Sequence, residues 1–212
     1  MWILVADGLL NILNKYGYFA QGFADDFSLL VEGIDLSTVC SIVQAAVHKI
    51  EEWCKGHGLS VNPKKTEMVL FTRRRKLDGF KPIRVFGEEL NRSTEVKYLG
   101  VILDSKLTWQ AHLTNKYNKA ILTFWQCRRI VGKTWGITPK IVHWIYVAII
   151  RPMLTLVAIV WWSRVELGVA KTMLGKLQRL ACLAITGAIR TTPTAAMEIL
   201  IGLPSVMSIS RT

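Results

Sequence analysis

The chain has 212 residues, 51% of them hydrophobic and 20% charged, a balance that excludes wholesale disorder and supplies enough apolar mass for a core. Lys and Arg total 27 against 15 Asp and Glu, so the formal net charge of +12 favours a polyanionic partner over a neutral one. The charge is uneven: residues 1–60 carry three basic and seven acidic side chains, and residues 61–212 carry 24 basic and eight acidic ones.

The opening residues, MWILVADGLL, lack a basic leader and include Asp7, so they are a poor signal peptide. Residues 2–16 have the apolar spacing of an amphipathic helix with no cap before it. Residues 17–24 and 27–32 are rich in aromatic and β-branched types and flank Asp25-Asp26. This pattern predicts a hairpin with both carboxylates at its tip. Asp35 is placed to cap a helix through Leu36, Val39, Cys40, Val43, Ala46, Val47, Ile50 and Trp53, stopped by Gly56 and Gly58. A short strand is expected over 67–72, then a basic loop of Arg73, Arg74, Arg75 and Lys76. Further strands are expected over 83–86, followed by a turn at Gly87, and over 96–103.

After Leu103 the pattern becomes helical. Helices are expected over 108–131, 138–162, 169–186 and 193–201, the last opened by a Thr192 cap and Pro193 in the first turn. The stretch 141–162 is apolar but interrupted by His143, Arg151 and Pro152. It falls short of the ~20 uninterrupted residues that span a bilayer, so it reads as a core helix and no stable membrane partner is expected. The fold class is α+β: an α/β part over 1–104 and a helical, basic part over 105–212.

The four cysteines, Cys40, Cys54, Cys127 and Cys182, are scattered without a CxxC pair. They read as free thiols in a reducing, intracellular setting, cytoplasm or nucleus. Cys54 and His57 would make half a zinc site, but no second half appears at matching spacing. Two neighbouring carboxylates at a hairpin tip, by contrast, suit hard divalent cations. Mg²⁺ is commonly held by one or two carboxylates together with waters and substrate phosphates. Basic side chains in the loop 73–76 and at Lys116, Lys119, Arg128, Arg129 and Lys133 suit phosphates, which they would hold in a salt-sensitive way. Trp109, Trp125, Trp135, Trp144, Trp161 and Trp162 are expected to pack between helices.

The segment Gly22-Phe23-Ala24-Asp25-Asp26-Phe27 resembles motif C of reverse transcriptases, with Phe23 where a tyrosine is frequent. Residues 58–66, Gly-Leu-Ser-Val-Asn-Pro-Lys-Lys-Thr, resemble motif D, and residues 96–104, with Tyr98-Leu99-Gly100, resemble motif E. The tail, with Trp109, His112, Pro152, Trp161 and residues 186–193, resembles polymerases of non-LTR retrotransposons of the jockey type.

The resemblance implies a partial palm with a mainly antiparallel sheet and a helical thumb or connection region. The implied activity is RNA-directed DNA polymerisation under two Mg²⁺ ions, with RNA template, DNA primer and dNTP as partners. It implies Asp25 and Asp26 as metal ligands, Lys65 as a proton donor to pyrophosphate, and Tyr98, Leu99 and Gly100 as the primer-holding segment. Arg73, Arg74, Arg75 and Lys76 would lie along nucleic-acid phosphates. Motifs A and B have no counterpart, and the fingers and upstream palm segment are missing. The chain alone is therefore expected to lack polymerase activity. The alternatives are a non-catalytic nucleic-acid-binding remnant and a membrane-surface protein built around 141–162.

Overall fold

The structure is a computed structural model that describes residues 2–74, 76–129, 138–155, 160–161 and 168–204. It has the expected α+β character. The chain divides into two compact units, Met1–Val96 and Lys97–Thr212, each with its own core.

In the first unit, α1 (Trp2–Lys15) buries Ala6, Leu9 and Leu13, the i, i+3, i+7 stripe of an amphipathic helix. It leads into β1 (Phe19–Phe23) and β2 (Asp26–Leu30), an antiparallel hairpin. Helix α2 (Leu36–Gly56) begins where Asp35 accepts the Thr38 N–H at 2.9 Å and the Ser37 and Thr38 hydroxyls at 2.6 Å. These bonds hold the Asp35 carboxyl well below the usual carboxylate range. Cys40 and Val47 of α2 bury against Ile83, Val85 and Leu90.

Strands β4 (Arg84–Val85) and β5 (Glu88–Glu89) form a second small hairpin around Phe86-Gly87. Polar side chains of α2 fasten it. Gln44 accepts the Arg84 N–H at 2.9 Å and donates to the Arg84 carbonyl at 3.0 Å, as a neighbouring strand would. Glu51 accepts the Phe86 N–H at 2.7 Å.

The expected strand over 67–72 shrinks to β3 (Met68–Val69), which pairs in parallel with β6 (Arg92–Ser93). Only two residues find a ladder partner, and the polar run after Phe71 has no alternating apolar face to bury. The sheet structure among the described residues is thus four two-stranded ribbons, where one larger antiparallel sheet was expected.

The expected strand 96–103 is also divided. It forms β7 (Glu95–Tyr98) and β8 (Val101–Asp104), joined at Leu99-Gly100 with φ of 46° and 82°. Two successive left-handed residues make the tight turn that matches strand twist, and glycine takes such a φ at no steric cost.

Asp104 then turns the chain into α3 (Gln110–Arg129), which starts two residues later than the sequence pattern suggests. The Asp104 carboxylate accepts the N–H groups of Thr108 at 2.9 Å and Trp109 at 2.8 Å. Its carbonyl accepts the Leu107 N–H at 2.8 Å. The expected end of this helix at Val131 lies outside the described residues.

The expected helix 138–162 is broken into α4 (Pro139–Ile145), a π-helical stretch (Tyr146–Ile150) and α5 (Arg151–Thr155). Pro152 has no N–H for the preceding turn and its ring crowds that turn's carbonyl, so the helix widens just before it. The Arg151 N–H accordingly reaches back to the Tyr146 carbonyl. Helices α6 (Gly168–Thr186) and α7 (Thr194–Ile201) follow. Pro193, extended at ψ 135°, takes the cap position expected for Thr192.

Leu113, Phe124, Tyr146, Ile150, Leu154, Trp161, Leu174, Leu177 and Ile185 form the second unit's core. Within it the Tyr146 hydroxyl donates to Gln178, whose Nε2 donates to the Pro204 carbonyl at 3.3 Å. Of the tryptophans expected to pack, Trp161 is buried and Trp109 packs on the core. Trp125 and Trp144 are 43% and 62% exposed, and Trp135 and Trp162 lie outside the described residues. The helix that carries Trp144 packs on this core through the half-buried Val142 and Ile145, and Trp144 is not among the packed residues. No described helix is long and apolar enough to cross a membrane.

Candidate active site

The hairpin sets the carboxylates. Phe23 pairs with Asp26, which leaves Ala24-Asp25 as a two-residue turn with Ala24 left-handed at φ 54°. Asp25 therefore sits in the turn, while Asp26 is the first residue of β2 rather than part of the tip. Both are exposed. Cross-strand partners share a face, so Asp26 lies on the side of Phe23, Gln21 and Ser28. Phe27 and Gly22 lie on the opposite side, toward Leu10 of α1. A Cβ built on Gly22 would stand 3.1 Å from the Phe27 ring and 3.3 Å from Leu10, so a bare glycine lets the hairpin lie close to the helix.

Two hard oxygen donors on adjacent residues fit a divalent cation that takes its remaining ligands from water and substrate phosphates. Among the described residues no group of three or more His, Cys, Asp or Glu side chains comes together, either here or at Cys54 and His57. The donor set fits part of a metal site, and a two-ion clamp needs donors from elsewhere.

Lys65 lies on a 3₁₀ turn (Pro63–Lys65) that Asn62 builds. The Asn62 side chain accepts the Lys64 N–H at 3.0 Å, and its carbonyl accepts the N–H groups of Lys65 at 3.1 Å and Thr66 at 3.2 Å. The ammonium is thus carried on a short, well-tied corner and is exposed. Among the described residues it forms no ion pair with Asp25 or Asp26. In the basic loop, Arg73, Arg74 and Lys76 are exposed and Arg75 lies outside the described residues. Arg74 is partly engaged, donating to the Ile34 carbonyl at 3.3 Å.

Tyr98 ends β7 half-buried, and Leu99, 47% exposed, forms the turn with Gly100. No atom lies within 4 Å of a Cβ built on Gly100, so the turn's backbone is open to a ligand. Behind the turn, His112 of α3, only 1% exposed, accepts the Ile102 N–H on Nδ1 at 3.1 Å. This bond fastens the β7–β8 hairpin to α3. Burial, and then the nearby Lys116, push the His112 pKa below its ordinary value. Sequence reasoning marked His112 only as part of the tail, and the one available signal was its four-residue spacing from Lys116 on a basic helix.

Residues 1–103 match the family model described as reverse transcriptase (RNA-dependent DNA polymerase). Those residues belong to the reverse transcriptase family. The Asp25-Asp26 hairpin, the Lys65 turn and the Tyr98–Gly100 turn all lie inside the reverse transcriptase segment.

The chain is 26% identical over 202 residues to the "Retrovirus-related Pol polyprotein from type-1 retrotransposable element R1" of Bradysia coprophila, covering 95% of this chain and 20% of that protein. It is 26% identical over 204 residues to the "Putative 115 kDa protein in type-1 retrotransposable element R1DM" of Drosophila melanogaster, covering 96% and 20%. The "RNA-directed DNA polymerase from mobile element jockey" of Drosophila funebris is 32% identical over 94 residues, covering 44% and 10%. The chain thus spans about a fifth or less of these three proteins. No solved structure gives a significant match.

Proposed function

We propose that this chain supplies the Asp25-Asp26 metal hairpin and the nucleic-acid-holding part of a retrotransposon RNA-directed DNA polymerase, with Mg²⁺ as the metal. The two exposed carboxylates in and beside a two-residue turn, within the family-matched segment, carry the reading. Residues 1–104 serve as the later part of a palm and residues 105–212 as a thumb.

In this reading Asp25, the first carboxylate of the pair and a residue of the turn itself, is the principal metal ligand. Asp26 is the weaker one, since it is committed to a strand face. The metal would supply charge stabilisation for an in-line attack by the primer 3′ hydroxyl on a dNTP α-phosphate. Lys65 is placed on a tied corner from which it would protonate or neutralise the leaving pyrophosphate. Tyr98, Leu99 and Gly100 would hold the primer end against an open backbone. Template and product would lie along the second unit, where residues 97–212 hold 15 basic and three acidic side chains. Residues 1–96 hold twelve of each.

Among the described residues no group of three or more His, Cys, Asp or Glu side chains comes together, so in this reading polymerisation calls on a further carboxylate besides Asp25 and Asp26. The nucleic-acid-binding role does not, and the same basic surface would serve it in a chain without catalysis.

A direct test uses Mn²⁺ as a paramagnetic stand-in for Mg²⁺ in NMR of the 212-residue chain. Selective broadening of the amides around Ala24–Phe27, lost in Asp25→Asn and reduced in Asp26→Asn, is expected. Broadening spread over the acidic residues generally, or absent from the hairpin, would reject the metal assignment.

A further inference from the structure

We propose that His112 is the positioning residue of the Tyr98–Gly100 turn: by accepting the Ile102 N–H it fixes β8 on α3 and so sets where the turn meets a primer end. The inference rests on the primer-holding reading above and adds to it a residue that does not itself touch the primer.

The β7–β8 hairpin needs such a tie. No residue from 97 to 104 is buried, so the hairpin has no fully buried side chain to anchor it. A two-stranded ribbon is marginal in water and leaves its outer N–H groups unpaired. Side-chain acceptors supply what packing does not. Asp104, at the base of the hairpin, binds the N–H groups of Thr108 and Trp109, which follow it in the chain. His112 binds the strand itself, at Ile102, two residues past Gly100 and 3.1 Å from Nδ1 to the amide nitrogen. A shift at Ile102 therefore passes directly to the turn.

The ring is a fixed reference for that strand. Leu113, next to His112, and Ala120 and Phe124 set α3 into the core of the second unit. His112 is 1% exposed, and its ring lies 6.2 Å from that of Trp161, which is 3% exposed. With both so enclosed, the strand adjusts to the ring and not the ring to the strand. Nδ1 accepts, so the neutral ring carries its proton on Nε2, which is buried without a hydrogen-bond partner among the described residues. An orphaned buried N–H is costly, and an apolar side chain in this place would avoid it. What the imidazole offers that leucine does not is the acceptor for Ile102. A locked side chain whose hydrogen bond orients a binding segment is the usual support of a site that must be held in place.

The test uses the 212-residue chain and a primer–template whose last primer base is 2-aminopurine, with the same fluorophore placed inside the duplex as a control. Contact with the turn alters the stacking of the last base, so the wild type should change the emission of the terminal probe and not of the internal one. Tyr98→Ala should reduce that response. His112→Leu, shown to be folded by circular dichroism, should lose most of it and keep its duplex affinity within about threefold, because phosphate contacts carry the affinity. His112→Asn, with an amide oxygen to accept the Ile102 N–H, should restore much of it. Met197→Ala truncates a buried side chain on α7, which packs against α6, and should lower stability while keeping the response. In the wild type, NMR should show a scalar coupling between the Ile102 amide nitrogen and His112 Nδ1, the signature of an N–H···N bond.

A folded His112→Leu with the wild-type primer-end response, or Met197→Ala losing it to the same degree, would overturn the positioning role and leave the primer-holding turn intact. Should the leucine variant not fold, the asparagine variant and the coupling decide. A coupling together with a responsive asparagine variant upholds the role, and the absence of either overturns it. A wild-type chain with no primer-end response, or a response that Tyr98→Ala leaves unchanged, would overturn the primer-holding reading and this inference with it.

Discussion

Phe27 lies across the hairpin from Gly22, its ring 3.1 Å from where a Cβ on that glycine would stand. The contact lies on the face of the hairpin opposite the one carrying Asp26, with Leu10 of α1 beside it. Gly22→Ala asks Phe27 and Leu10 to give by a few tenths of an ångström. Phe27 is 38% exposed and has room to swing. Alanine also removes glycine's entropy cost in a strand, roughly 0.5–1 kcal/mol, so this variant should be near neutral. Gly22→Val has no such compensation and should cost about 1–3 kcal/mol by overpacking. Thermal denaturation checks this pair, and a valine variant as stable as the wild type would contradict the packing described.

Asp104 governs the next corner. Leu107 and Trp109 are both left-handed, at φ 51° and 61°, and such strain persists only where surrounding bonds over-determine it. Burial pushes the Asp104 carboxyl up, but the Thr108 and Trp109 N–H groups outweigh it and hold the group below its ordinary value. A carboxylate with a depressed pKa stabilises the fold above its unfolded value, near 3.9. That stability is lost as pH falls through the lower folded value. Asp104→Ala should cost roughly 0.5–2 kcal/mol, the usual range for a lost cap. Asp104→Asn, with one acceptor oxygen in place of two, should fall between. Urea melts of the three proteins, repeated toward pH 3, should show the differences shrinking as the wild-type carboxylate protonates. A difference that stays constant with pH would argue against the bonds.

The two corners show what was legible. Asp35, followed by apolar residues at helical spacing, announces α2, because capping and periodicity are local properties. The hairpin around Asp25-Asp26 is legible for the same reason, although which aspartate occupies the turn depends on register. The division at Leu99-Gly100 was hidden inside an apolar run, where only a glycine hinted that the strand folds back on itself. The widening before Pro152 has a local cause, a proline that the sequence displays, whereas the exposure of Trp144 depends on tertiary packing that no window of sequence reports. His112 was hidden too: a buried histidine accepting a strand N–H ten residues away looks, in sequence, like any polar residue on a basic helix.

That histidine carries a pH signature. With Nδ1 accepting from Ile102, the neutral ring carries its proton on Nε2, which is buried without a hydrogen-bond partner. The unfolded chain takes up a proton on this residue near pH 6.5, while the folded ring resists it to lower pH because of burial and Lys116. Stability should therefore fall as pH drops below about 6.5, since the unfolded state then binds more protons. His112→Asn keeps an acceptor near the Nδ1 position and does not titrate, so its stability should lack this contribution. His112→Leu leaves the Ile102 N–H without an acceptor and should cost roughly 1–3 kcal/mol. Melting temperatures of all three between pH 7 and pH 5 make the comparison. Parallel profiles for wild type and the asparagine variant would show that His112 is not the group responsible.

The basic loop offers a finer distinction than its composition suggests. Arg73 and Lys76 are exposed, whereas Arg74 donates to the Ile34 carbonyl at 3.3 Å, across forty residues of sequence. A guanidinium holding the loop down is less available to a phosphate than a neighbour with no such bond. Arg73→Gln/Lys76→Gln should therefore reduce the salt slope of duplex binding by up to about 2, and weaken binding to all sequences alike. Arg74→Gln should reduce it by less than roughly 1, because that side chain releases fewer counterions. Arg74→Gln should instead raise hydrogen exchange in the segment around Ile34, where the lost bond lies, while the double variant leaves that segment unchanged. If Arg74→Gln alone accounts for most of the slope, the Ile34 bond does not survive in the nucleic-acid complex. The loop would then meet the duplex as one uniformly charged surface.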